Sequence, residues 1–224
     1  MSNLNDFKSS GLIQKSELFT TGGTWTKSAK FTGGTVWITA IGGGGSGNSA
    51  SPGTFVASGG DGGEYVCGVS VDVSGTSSET VTIGSGGASV NGGGINTDGN
   101  SGGVTSFGAL LSLSGGQGGK ISIVNQVSGN TGGTYGGRED SLSSGQNNVC
   151  SVGGNGGIGN PSQTGGGGGG LILDDTGVSG GTGASNSASG GNGYGAGGGS
   201  SSGNTNDSGA GADGAMLITW VETL

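Results

Sequence analysis

None of the 224 residues is a histidine. That removes Ser-His-Asp and Cys-His catalysis and every imidazole metal site. The side chains left that could do chemistry are two acidic pairs, Glu139-Asp140 and Asp174-Asp175. Two neighbouring carboxylates can serve glycoside hydrolysis or hold a cation. In polar surroundings such as these they read as solvated loop charge. Gly-x-Ser-x-Gly occurs at 177–181 and again at 199–203, but a chain this rich in Gly and Ser makes such matches by chance. Gly119-Lys120 is followed by Ile121 instead of Ser or Thr, so the phosphate-loop pattern fails. Calcium repeats of the form Gly-Gly-x-Gly-x-Asp find Ile158 or Gly195 where Asp is needed. The sequence therefore points to a non-enzyme, with no catalytic residue, no metal and no cofactor.

What would position any other function is dominated by glycine, which supplies 63 residues. It comes in runs, Gly42 to Gly45 and Gly165 to Gly170, with doublets between them. Glycine costs more backbone entropy to order than any other residue and has no side chain to bury. Such a chain is either disordered or folded by backbone packing. Disordered linkers are poor in aliphatics and rich in Pro, Glu, Lys and Gln. This one has two prolines, 9% charged residues and concentrated apolar bursts at 36–41, 65–73 and 216–221. Collagen requires Gly at every third position and abundant Pro, and the period here breaks constantly. The pattern predicts packed polyglycine II helices, extended at about 3.1 Å per residue. Without Cβ atoms such helices can lie side by side and bond to each other through outward amides. Gly-Gly-X then leaves one face for solvent, as the polar third residues Asp61, Glu64, Gln117, Lys120, Asn155 and Asn192 require.

The formal net charge is −8, with six basic residues, which speaks against a nucleic-acid partner. No stretch approaches the roughly 20 apolar residues of a membrane span, so no membrane insertion is expected. The first residues lack a signal peptide's basic and apolar regions. Synthesis and folding in a cytoplasm are expected, with assembly into a particle and lysis as a way out. Two cysteines, Cys67 and Cys150, do not make a disulfide framework and are expected to be free thiols.

Along the chain, residues 1–16 read as an attachment arm with Leu4, Phe7 and Leu12 on one apolar face. Residues 17–224 read as one glycine-rich domain. Phe19 to Thr26 is echoed by Phe31 to Trp37, each with a Gly-Gly pair that reads as a tight hairpin turn. These strands predict a small sheet with Trp25 and Trp37 in or on its core. The burst at 215–221, carrying Trp220, should join it and bring the chain ends together. Strands 64–73 and 80–83 read as a hairpin around Gly75. The fold class is thus all-β with an irregular glycine-rich region, a small antiparallel sheet capping packed polyglycine II helices.

Each excursion from the sheet needs a loop at its far tip. Residues 48–58, 95–100 and 120–131 are the first three, with more at 138–152, 160–164, 171–179, 184–189 and 200–208. If every later run reverses direction, the last strand ends at the wrong end, so one fold-back in 132–214 breaks the alternation. The tips carry apolar groups that a purely solvated loop would not: Phe55, Val56, Ile95, Ile121, Ile123 and Leu171 to Leu173. Such groups on rigid loops mark a binding surface, although 121–124 and 171–173 serve equally well as core. The candidate binding residues are Phe55, Val56, Ile95, Asn96, Asp98, Ile121, Ile123 and Asn125. Tyr135 and Tyr194, inside glycine runs, read as packed on glycine backbone.

The ordered series Phe-x-x-x-Gly-x-Trp-Thr, Val36 to Gly45, Gly62 to Val66, Val81 to Gly84, Thr105 to Gly108 and Gly214 to Trp220 resembles the glycine-rich domain of bacteriophage tail-fibre and tail-tip proteins. The alternation of glycine helices with loops is similar to the distal adhesins of T-even-like phages. The resemblance implies a virion tail protein whose tip loops bind an outer-membrane protein or glycan of a bacterial host. It also implies attachment to other tail proteins, placed here in the arm, and leaves a homo-oligomer open. Two other readings are a purely structural tail or decoration protein and a polyglycine II antifreeze protein. The uneven loops count against the latter.

Overall fold

The computed structural model describes residues 11–51, 55–91, 96–123, 167–171, 181, 188–202 and 207–224. Among these residues the fold is all-β, with no helix. Two four-stranded antiparallel sheets hold most of the core. The first runs in the order β1 (Leu12–Phe19), β10 (Ala215–Thr223), β3 (Thr35–Ile41), β5 (Tyr65–Asp72). The second runs β2 (Gly23–Thr26), β6 (Ser78–Thr82), β7 (Thr105–Phe107), β8 (Leu111–Leu113). Strands β4 (Phe55–Val56) and β9 (Ser122–Ile123) form a separate two-stranded ribbon.

The apolar/polar alternation of β3 and β10 gives the first sheet one buried face. Val36, Ile38, Met216, Ile218 and Trp220 from it meet Trp25, Val81, Phe107 and Leu113 from the second. The last strand lies between β1 and β3, so the two ends of the domain do come together. Trp25 is fully buried and Trp37 is half-buried.

None of the three expected hairpins forms: beside Gly33-Gly34, Phe31 bridges to Glu222 while β3 pairs with β10 and β5, and the other two are crossovers between the sheets. Strands β1 and β2 belong to different sheets, pairing with β10 and β6. The turn at 73–77 likewise carries the chain from β5 in one sheet to β6 in the other. The physical reason is burial: one two-stranded hairpin could not cover Trp25, whereas a second sheet does. Residues 12–16, read as part of the arm, are the first half of β1. The rest of the arm lies outside the described residues, apart from Gly11.

Cys67 is disulfide-bonded and not the expected free thiol. It sits half-buried on β5, an edge strand. The chain's other cysteine, Cys150, is outside the described residues. Beside Cys67 the pairing of β3 with β5 shifts register between Ile38 and Ala40. Gly68 takes up this bulge with φ of 60°, and its amide donates to Thr39 Oγ1 at 2.9 Å.

The glycine segments extend from the sheets and pair by backbone hydrogen bonds with a period of three. The amides of Gly42, Gly45 and Asn48 donate to Glu64, Asp61 and Ser58. Those of Gly43, Ser46 and Ser49 donate to Gly103, Asn100 and Thr97, and those of Gly44 and Gly47 to Ala212 and Gly209. The carbonyls of the same segment accept from three more directions: Gly43 and Ser46 from Gly116 and Gly119, Gly44 from Gly87, and Gly45 and Asn48 from Gly198 and Ser201. The flanking segments also bond to one another, in the cyclic order 58–64, 114–120, 97–103, 84–90, 209–214, 195–201. Their directions alternate around this ring, and 42–50 runs through its middle.

Outward faces appear every third residue in the ring, at Ser114, Gln117 and Lys120 and at Ser85 and Ala88. Segments 41–50 and 195–201 have no exposed residue at all. A side chain there would strike backbone: a Cβ on Gly45 would lie 2.1 Å from the Gln117 carbonyl oxygen. These interior segments carry a signal of their own, namely that even their third positions are Gly, Ala, Ser or Asn.

Two carboxylates accept local hydrogen bonds near strand ends. Trp220 Nε1–H donates to Glu222 Oε1 at 2.9 Å, and the Ser74 amide donates to Asp72 Oδ1 at 2.8 Å. Each bond holds its carboxyl below the usual carboxylate range. A carboxyl more acidic folded than unfolded stabilises at neutral pH and loses that contribution as pH falls through its lowered folded value. Glu222→Gln is therefore expected to be less stable than the parent at pH 7, with the gap closing under acid. Urea midpoints measured across the acid range check this; a gap independent of pH would contradict it.

Candidate binding surface at the far end of the glycine segments

Segment 42–50 leaves the sheet at β3 and 58–64 returns to β5, so Ser51 and residues 55–57 lie at the far end. By the same directions Asn91, Asn96, the segment 120–123, Ser202 and Asp207 are also at that end. The later alternation resolves in part. Segment 195–201 runs parallel to 42–50, and 209–214 returns beside it. Of the loop predicted at 200–208, the described residues 200–202 and 207–208 are thus at the far tip, and the rest lie outside the described residues.

Leu171 is at the other end. It pairs with Tyr194, next to Gly195, which approaches Ile41 and Gly42. It is fully buried, so it is core and not tip surface. Residues 172–179 lie outside the described residues, as do Tyr135 and both acidic pairs.

Six of the eight candidate residues are described, and they gather in three loops of this far end. Phe55 and Val56 of β4 pair with Ile123 and Ser122 of β9. Phe55 and Ile121 are half-buried. Asn96 Oδ1 accepts the Ser51 amide at 2.7 Å. Asp98 Oδ1 accepts the Ile121 amide at 3.0 Å, and its Oδ2 lies 3.1 Å from Lys120 Nζ. Ile95 and Asn125 lie outside the described residues. Lys120, a solvent-facing third residue of its glycine segment, joins the surface through Asp98.

Beneath the tip, glycine gives way to small polar residues that are still buried. Ser46 Oγ accepts the Asn100 amide at 2.8 Å, and Asn48 Oδ1 accepts the Ser58 amide at 3.2 Å. Ser58 Oγ donates to the Lys120 carbonyl and accepts its amide, at 3.0 and 2.8 Å. Ser201 Oγ donates to Ser49 Oγ at 3.2 Å. The Ser46, Asn48 and Ser58 side chains thereby satisfy the backbone amides of Asn100, Ser58 and Lys120. The loops thus stand on a fixed base.

A model of the glycine-rich domain matches residues 20–221. The chain belongs to the glycine-rich domain family. That match begins between β1 and β2 and ends inside β10, so the family unit comprises the glycine segments together with most of both sheets. No curated protein matches the chain.

Proposed function

We propose that this glycine-rich domain is a non-enzymatic adhesin of a bacteriophage or phage-like tail, and that its three-residue repeat is that of packed polyglycine II helices. The observation that carries the reading is the gathering of Phe55, Val56, Asn96, Asp98, Ile121 and Ile123 at one end. Loops held on a bonded backbone lose little further freedom on binding, which is how a small surface gains affinity. The partner is a bacterial surface receptor, an outer-membrane protein or glycan. Docking to other tail proteins is assigned to residues 1–16, before and within β1. A disulfide at Cys67 suits a working place outside the reducing cytoplasm, such as a virion tail.

The test uses fluorescently labelled full chain on a panel of Gram-negative strains. Saturable binding to at least one strain is expected, and binding to none defeats the reading. Phe55→Ala should weaken that binding about tenfold, the scale of one well-placed aromatic contact, with the melting temperature unchanged. Equal binding by the variant would remove Phe55 from the surface.

A further inference from the structure

The far-end loops come from distant parts of the chain, and among the described residues the following links join them. Below them, Ser49 and Thr97 exchange both backbone hydrogen bonds, at 3.0 and 2.9 Å. Above that level, among the described residues, Ser51 meets loop 96–98 through one side chain, with Asn96 Oδ1 taking the Ser51 amide. Loop 96–98 meets 120–123 through another, with Asp98 holding both the Ile121 amide and the Lys120 ammonium. The β4–β9 ribbon closes the triangle between the first loop and the third.

We infer that Asn96 and Asp98 are positioning residues of the binding surface and not its contacts. The inference rests on the adhesin reading. Each residue gives an acceptor oxygen to a backbone amide of a neighbouring loop, so a receptor using that oxygen would have to unfasten the loop first. Asp98 and Lys120 are both about half exposed (side chains 49% and 48%). A pair that open to water adds little to overall stability, so removing it frees the loop without unfolding the domain. The freed loop must then be ordered at the moment of binding. One additional backbone residue to order weakens affinity on the order of tenfold.

Asp98→Ala, Asp98→Asn and Asn96→Ala in the full chain test this, with two readouts. One is binding of labelled protein to the strains that the parent chain binds. The other is amide hydrogen exchange at Ser51 and Ile121. Asp98→Ala should accelerate exchange at Ile121 and weaken binding about tenfold. Asn96→Ala should do the same through Ser51. Asp98→Asn keeps an oxygen for the Ile121 amide and should stay near the parent in both readouts. Weaker binding with unchanged exchange would make these residues contacts and overturn the inference. Faster exchange with unchanged binding would overturn it too, because the link would not serve recognition. If the parent chain binds no strain, the adhesin reading fails and takes the inference with it, whatever the exchange data show.

Discussion

Gly44→Ala is expected to lower the stability of the folded chain by about 3 kcal/mol, a fall in melting temperature of roughly 6–12 °C for a domain of this size. A Cβ on Gly44 would sit 2.2 Å from the Ala196 carbonyl oxygen, 2.5 Å from its carbon and 2.7 Å from the Gly195 oxygen. All three are backbone atoms of a buried segment, so none can swing aside as a flexible side chain would. Segment 195–201 is itself bonded to 42–50, 58–64 and 209–214, and moving it strains those pairings as well. Gly75→Ala is the control. A Cβ there meets nothing within 4 Å, and the residue is outside the left-handed region. That substitution should be neutral or stabilise by up to about 1 kcal/mol, by restricting the unfolded chain. Thermal unfolding of the two variants decides the matter. Equal melting temperatures would mean that the glycine segments are not closely packed.

Trp25→Ala should cost about 3–5 kcal/mol. Trp25 is fully buried between the two sheets. It meets Phe31, Phe107 and Trp220 edge-on, with ring centroids 6.0, 5.7 and 6.0 Å away. Its indole nitrogen is buried with no hydrogen-bond partner among the described residues. Trp25→Phe removes that unsatisfied donor along with some packing, and the two effects oppose each other. The Phe variant should therefore lose under about 2 kcal/mol. Denaturant unfolding of both variants tests the pair of expectations, and a Phe variant as unstable as the Ala variant would refute the offset.

The strands at the domain ends were legible because β3, β5 and β10 are apolar bursts that alternate, a signal that needs no tertiary information. Their partners were less so. The echo between Phe19–Thr26 and Phe31–Trp37 suggested hairpins, but a local repeat cannot say which of two sheets each strand joins. That choice follows from covering Trp25 on all sides. The candidate residues were found as apolar breaks in polar loops, and the six described ones share one end of the fold. What Asn96 and Asp98 do there could not be read locally, because the amides they hold belong to Ser51 and Ile121, 45 and 23 residues away. Segments 42–50 and 195–201 could have been recognised as interior from their unbroken small residues. An outward polar third position, sound for 114–120, does not extend to them.

The three-residue period of the scaffold also governs how the gene can change. Inserting one residue into segment 42–50 would turn everything beyond it by about a third of a turn. Each later amide would then face a neighbour that offers it no carbonyl. Length changes inside the bundle are therefore confined to steps of three, matched across the neighbouring segments. The loops at the far end obey no such frame, because the repeat has stopped before them. Insertions and deletions should accumulate there, and the scaffold beneath should keep its length while the tip diversifies.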